Sequence, residues 1–213
     1  MEQKKISQPV LKRLPVYLDY LKTMTDESVT HISATALAHA LGMGEVQVRK
    51  DLAMVSEGGR PKIGYLRETL IDDIEQFLGY DNTTDAVLIG AGKLGQALLD
   101  YRGFKEYGLN ILAAFDLKPK MQVTDGGKKV YPLDELENYC RKHKILMGII
   151  TVPGEHAQSV ADRLVKCGIK AIWNFAPTRL DVPPKILVQH ENMATSLAVL
   201  SMHLQAQIKE DKK

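Results

Sequence analysis

Two cysteines in 213 residues, Cys140 and Cys167, are too few for a disulfide framework. Neither has histidines at metal-ligand spacing, so both are expected to be reduced, partly buried thiols and no metal is expected. No apolar run approaches the roughly 18 residues that a membrane span needs, which excludes a membrane partner on this reading. Behind the two lysines of MEQKKISQPV there is no apolar stretch, so the start does not read as a secretory signal and a cytoplasmic location is expected. An excess of one charge is also missing, since 28 Lys+Arg face 26 Asp+Glu and leave +2. Bulk charge therefore decides nothing about nucleic acid, and the case must rest on where the cations fall. With 45% apolar and 25% charged residues, the composition is that of a globular chain longer than one average domain.

The first eighty residues read as helices and turns. Leu14, Tyr17, Leu18, Leu21 and Met24 recur on one helical face, with Pro15 expected near the helix start, where a missing N–H is tolerated. A second helix is capped by Ser33 and stopped by Gly42, and a third buries Val48, Leu52 and Val55. Two short helices about a glycine turn, within about Tyr17 to Ser56, make a helix-turn-helix pattern that simple bundle packing also produces. On the third helix Gln47, Arg49 and Lys50 are expected to point outward; Gln can pair with adenine, Arg and Lys with guanine. Glu45 and Asp51 dilute that charge. GGRPKIGY then carries Arg60 and Lys62 on a Gly-rich tip, the look of a wing reaching the DNA backbone or minor groove. Arg67 to Leu78 forms a further helix, ended by Gly79 before the polar YDNTTD.

From Asp85 the period changes. AVLIG, NILAAFD, ILMGIITV and IKAIWNF are short β-branched runs separated by helical stretches, the alternation of a doubly wound parallel α/β sheet. GAGKLG, from Gly90 through Ala91, Gly92, Lys93 and Leu94 to Gly95, follows the first strand and opens a helix. That is the context a dinucleotide turn requires. The glycines allow the tight turn, the backbone's approach to a pyrophosphate, and close helix packing. Asp116 ends the second strand about 20 residues on, where a carboxylate accepts from the ribose hydroxyls and favours NAD/NADH over a 2′-phosphorylated cofactor. A catalytic set is lacking: the histidines do not cluster, His156 begins a helix, and no Tyr-xxx-Lys pair follows the middle of the sheet. Binding without turnover is expected, and the chain is not expected to be an enzyme. The last stretch, Asn192 to Lys209, places Leu197, Leu200, Leu204 and Ile208 at helical spacing after the sheet is complete.

RLPVYLDYL (13–21), QVRKDL (47–52), GxGKLGQALLDY (90–101), AAFD (113–116), TVP…AQSVADRLVKCGIKAIWNFAP (151–177) and SLAVLSMHL (196–204) together resemble the redox-sensing repressor Rex family. The resemblance runs over nearly the whole chain. It implies a winged helix-turn-helix DNA-binding domain (1–80), an NAD(H)-binding Rossmann-type domain (84–190) and a C-terminal helix (191–213), domain-swapped in a homodimer between the partner's two domains. It implies a repressor of palindromic double-stranded DNA operators that NADH releases. Thr151, Val152, Pro153, Asn174, Phe175 and Met193 join the turn residues and Asp116 at the cofactor. Ser33 joins Gln47, Arg49, Lys50, Arg60 and Lys62 at DNA. A polar network tied to redox state is implied for Arg13, Tyr101 and the position of Asn192, where the family has Asp. The wing departs from the family in composition, although Glu57, Gly59, Gly64 and Tyr65 agree. Two rivals remain: an NAD(H)- or CoA-binding protein with oxidoreductase activity, and a repressor that does not respond to redox state.

Overall fold

The computed structural model describes residues Ser7–Asp26 and Ser28–Glu210; the leading MEQKKI, Glu27 and the last three residues of the C-terminal segment lie outside them. The chain divides into two compact units, Met1–Asn82 and Thr83–Lys213.

The first unit runs α1 (Gln8–Thr23), β1 (His31–Ile32), α2 (Ala34–Ala40), α3 (Glu45–Val55), β2 (Tyr65–Leu66) and α4 (Arg67–Leu78). Its core joins Leu14, Tyr17, Leu18 and Leu21 of α1 to Leu37, Val48, Leu52, Leu70 and Ile74. Helix α1 begins earlier than its apolar spacing suggested, so Pro15 lies inside it rather than at its start. An interior proline costs about 3 kcal/mol. Burying Leu14, Tyr17, Leu18 and Leu21, at about 1.5–3 kcal/mol for each such side chain, outweighs that. Ser33 caps α2 by accepting the Ala36 N–H at 3.0 Å, and Gly79 ends α4 in the left-handed conformation. The two-residue strands β1 and β2 pair antiparallel, with Ile32 opposite Tyr65. An antiparallel bridge between Arg60 and Gly64 folds the loop after α3 into a hairpin wing.

The second unit contains β3 (Thr84–Ile89), α5 (Lys93–Asp100), β4 (Leu109–Asp116), β5 (Lys129–Pro132), α6 (Leu136–His143), β6 (Met147–Ile150), α7 (Gly154–Lys166), β7 (Ala171–Asn174), β8 (Leu187–His190) and α8 (Met193–Glu210). Its six strands lie in the order β5-β4-β3-β6-β7-β8, all neighbours parallel. This is the Rossmann order, whose reversal beside β3 opens a crevice at the strands' carboxyl ends. The four interior strands are the apolar runs seen in the sequence. The edge strands, KVYP and LVQH, are short, partly polar and largely exposed, and so carry no apolar-run signal. Buried residues fill both faces of the sheet: Val87, Ile89, Phe115, Ile150, Ala161 and Leu164 on one, Leu88, Leu99, Ile111 and Ile149 on the other. Helix α8 contains no buried residue.

Candidate dinucleotide turn and DNA-reading helix

The turn after β3 sits at the crevice. Gly90 has φ +105°, and a side chain there would strike Val152. Gly95 packs α5 so tightly that a Cβ would lie within bonding distance of the Gly90 carbonyl oxygen. Gly92 faces open space, with nothing within 4 Å of where a Cβ would stand. That contrast fits a turn in which one glycine serves packing and another leaves room for a phosphate. The Thr151 hydroxyl donates to the carbonyls of Ile89 (3.1 Å) and Gly90 (2.8 Å), which fastens the end of β6 to the turn. Asp116 closes it from the other side: Oδ2 accepts the Ala91 N–H at 2.8 Å and Oδ1 the Lys118 N–H at 3.0 Å. Each carboxylate oxygen keeps acceptor capacity for a ribose hydroxyl. Gln96 holds the turn too, donating to the Ala91 carbonyl at 2.7 Å. Lys93 and Leu94 open α5 at the surface.

Asn174 is fully buried, and its amide serves the chain. It donates to the carbonyls of Ala176 (3.2 Å) and Thr178 (2.9 Å), accepts the Ala176 N–H at 3.0 Å, and meets His190 Nδ1. It shapes the loop after β7. Phe175 packs beside Trp173, Val152 packs against the core and close to Gly90, and Pro153 immediately precedes α7. Met193 is exposed at the first turn of α8. Asn192 accepts the Thr195 N–H at 3.2 Å and so acts at the start of that helix. Tyr101 is exposed, edge-on to Phe104 at 4.8 Å.

In the first unit, Arg49 and Lys50 are exposed on α3. Arg49 lies 3.9 Å from Glu45, a solvated i,i+4 pair. Arg60 and Lys62 are exposed on the wing, where Arg60 and Gly64 exchange backbone hydrogen bonds of 2.9 Å each. Lys62 holds a left-handed φ of 67° at the tip. Ser33 uses its hydroxyl as a helix cap.

The sequence reading missed Asp51. Taken for a surface charge, it is 3% exposed. Its carboxylate accepts Arg13 Nε (2.7 Å) and Nη2 (2.9 Å) as a two-pronged ion pair, and the Tyr17 hydroxyl at 2.8 Å. Asp51 raises the Arg13 guanidinium further, and burial together with the bond to Asp51 pushes Tyr17 up to about 12. The spacing held the clue, since 48, 51, 52 and 55 form one i, i+3, i+4, i+7 face. The same guanidinium meets Gln47. The Gln47 amide lies against its face, and the orientation that turns Oε1 toward the guanidinium suits that charge.

Residues 81–178 match the CoA binding domain family and residues 5–53 the family described as putative DNA-binding protein N-terminus. The chain is 43% identical over 202 residues to the redox-sensing transcriptional repressor Rex of Treponema denticola, covering 94% of this chain and 96% of that protein. It is 42% identical over 205 residues to Rex of Carboxydothermus hydrogenoformans, covering 94% and 97%. Among solved structures, RSP in complex with beta-NAD+ and operator DNA superposes with a TM-score of 0.88 at 34% identity, covering 99% of this chain and 97% of that one. RSP with beta-NADH gives 0.86 at 33% identity, covering 99% and 100%. Identity at this level over both units leaves one assignment: the chain belongs to the redox-sensing transcriptional repressor Rex family.

Proposed function

We propose that this protein is a cytoplasmic repressor that binds a palindromic operator as a homodimer and is released from it by NADH, without turning the nucleotide over. The observation that carries the reading is a dinucleotide turn closed by Asp116 in the same chain as a winged helix. The RSP structures, one with beta-NAD+ and operator DNA and one with beta-NADH, support both ligands. Bound nucleotide would supply its redox state as a signal and no chemistry. Gly90 through Gly95 and Asp116 would hold it; Thr151 and Asn174 would act by fixing the backbone beside it, and Val152, Pro153, Phe175 and Met193 by apolar contact.

On DNA, Arg49, Lys50 and Gln47 would face the major groove while Arg60 and Lys62 reach the minor groove or backbone; Ser33 would set the start of α2. Helix α8 leaves Met193, Leu197, Val199, Leu200, Met202, Leu204 and Ile208 exposed, a stripe that a second copy of the chain would cover by exchange of the helix. Arg13, Tyr101 and Asn192 would respond to nucleotide in that dimer. Asp51 already balances the charge of Arg13, so a neutral Asn192 leaves no cation unpaired. A ligand shifts such an equilibrium only by its preference for one state, and tenfold preference is about 1.4 kcal/mol.

Fluorescence anisotropy of a labelled palindromic duplex, titrated with NADH and separately with NAD+ at fixed salt, tests this. Release by NADH alone is expected. DNA binding indifferent to both leaves a repressor without redox response, and no DNA binding overturns the reading. The match of residues 81–178 to CoA-binding domains makes CoA the competitor to include. Failure of CoA to displace NADH is expected, because Asp116 disfavours a ribose phosphate.

A further inference from the structure

The outward face of α3 is not uniformly polar. Val48, Asp51, Leu52 and Val55 turn into the unit. At about 100° per residue, Val46 then stands on the opposite side of the helix, with Lys50 and Ala53 within about 30° of the outward direction and Arg49 and Gln47 farther round on its two flanks. Val46 is 63% exposed and takes no part in the core of its unit. One flank is engaged: Glu45 Oε2 accepts the Thr35 hydroxyl at 3.2 Å and lies 3.9 Å from Arg49 Nη2, so the acid and its arginine stand together beside α2. The centre of the face is left to a branched apolar side chain in the first turn. An ammonium follows one turn on, and then an alanine too small to hold the helix off a surface.

We propose that Val46 is a specificity-determining residue of the operator contact: its methyl groups cover the 5-methyl group of a thymine in the major groove. A recognition helix sets its N-terminal residues on base edges. Those edges present nitrogen and oxygen donors and acceptors, and thymine alone adds a methyl group. An apolar side chain laid on a polar edge strips water from it and returns no hydrogen bond. Laid on the thymine methyl, it buries apolar surface on both partners. Residues one helical turn apart hold their Cβ atoms about 5–6 Å from one another, and successive base pairs rise by about 3.4 Å. The thymine therefore falls one or two steps from the base that Lys50 contacts. The inference rests on α3 being the reading helix of the proposed function.

Selection of bound duplexes from a randomised library, by the full chain and by Val46→Ser and Lys50→Ala, begins the test. Each thymine of the selected operator is then replaced by deoxyuridine, which lacks only the methyl group. One thymine per half-site, one or two steps from the position that Lys50→Ala relaxes, should cost the unaltered protein about fourfold in affinity when its methyl is removed. Val46→Ser should lose the thymine preference at that position, because a hydroxyl serves donors and acceptors alike. It should also bind the thymine and deoxyuridine duplexes equally. Serine and valine have similar helix propensities and no core contact is removed, so the melting temperature should hold and confine the loss to the DNA contact.

A deoxyuridine penalty that survives Val46→Ser overturns the proposal, as does an operator in which no thymine methyl matters to the unaltered protein. In either case, a selection relaxed by Lys50→Ala leaves α3 as the reading helix and the proposed function standing. If Lys50→Ala and Val46→Ser both leave affinity and selected sequence unchanged, α3 does not read DNA. The docking in the proposed function then fails, and this inference with it.

Discussion

Asp116 Oδ2 accepts the Ala91 backbone N–H at 2.8 Å, so the acid at the end of the second strand of the sheet also fastens the glycine turn that follows the first. A residue of this kind would act twice: it orients the backbone that would face the phosphates, and its carboxylate keeps acceptor capacity that a ribose could use. Loss of the side chain removes both. Asp116→Ala is expected to weaken NADH binding by about tenfold or more, since a hydrogen bond to a charged group contributes about 1.5–3 kcal/mol. Operator binding without nucleotide should persist. Nucleotide fluorescence titration beside operator anisotropy checks this, and NADH affinity equal to that of the unaltered protein would remove Asp116 from the site.

Gly92 and Gly95 separate binding from folding. An added Cβ at Gly92 meets nothing, whereas at Gly95 it runs into the Gly90 carbonyl oxygen. Gly92→Ala should therefore melt near the temperature of the unaltered protein but bind NADH poorly, its methyl group standing where a pyrophosphate must approach. Gly95→Ala should force α5 off β3 and lower the melting temperature, an overpacking cost of about 1–3 kcal/mol or more. Equal melting temperatures for the two variants would contradict this geometry.

How far the sequence went is visible residue by residue. The interior strands of the sheet, buried on both faces, announce themselves as unbroken apolar runs. The edge strands Lys129–Pro132 and Leu187–His190 do not, because an exposed edge need not be apolar and each is only four residues long. Gly90 and Gly95 were legible because the tight turn and the close helix packing demand glycine there, whereas Asp116 was placed at the strand's end without its bond to the Ala91 N–H. The partners of Asp51 and Asn174 were not legible, although the helical spacing of Asp51 put it on the buried face. Both residues are polar groups buried by partners distant in sequence, Arg13 at a separation of 38 and His190 at 16, and no local pattern encodes such a partner. The start of α1 was misjudged because Pro15 was given its usual meaning as an early helical residue, while the burial of the surrounding face overrode its cost.

Arg60 and Lys62 on the wing should contribute to DNA affinity without selecting sequence. If each neutralises one phosphate, removing either by alanine lowers the slope of log affinity against log salt by about 0.9. Lys50→Ala, on the helix proposed to read bases, should in addition lose about 1–3 kcal/mol of operator discrimination while NADH binding stays intact. Salt titrations of operator and random duplex distinguish the two effects. A wing variant that changes base preference while leaving the slope untouched would place the wing tip on a base edge instead.

Glu137 of α6 and Arg163 of α7 form a two-pronged ion pair of 2.7 Å contacts, and its hydrogen bonds hold the Glu137 carboxyl below the usual carboxylate range. The folded value is the lower one, so the pair's stabilisation is complete above the unfolded value of about 4.3 and is lost as pH falls through the folded value. With more than a third of the Glu137 side chain exposed, the contribution is about 0.2–1 kcal/mol. Urea unfolding of the unaltered protein and of Glu137→Gln should differ by a constant amount above about pH 5 and converge in acid. A difference independent of pH would mean that the pair adds nothing electrostatic.

Cys140 of α6 and Cys167, just after α7, pack into the same core, and burial pushes the Cys140 thiol up to about 12 and raises Cys167 as well. The thiolate is the nucleophile, so burial that raises the thiol keeps Cys140 in its unreactive protonated form at pH 8. Chemistry at Cys140 must then wait for the domain to open. Iodoacetamide at pH 8 should leave Cys140 unmodified in the folded protein, as read by mass spectrometry of the digested chain, and modify it promptly in urea. NADH, by binding only the folded domain, should slow Cys140 modification at intermediate urea by a factor of one plus the ratio of the NADH concentration to its Kd. Modification that NADH does not slow would show either that nucleotide does not bind this domain or that Cys140 is reached without unfolding it. The first case fails a nucleotide titration done in parallel, and the second shows full labelling in the absence of urea.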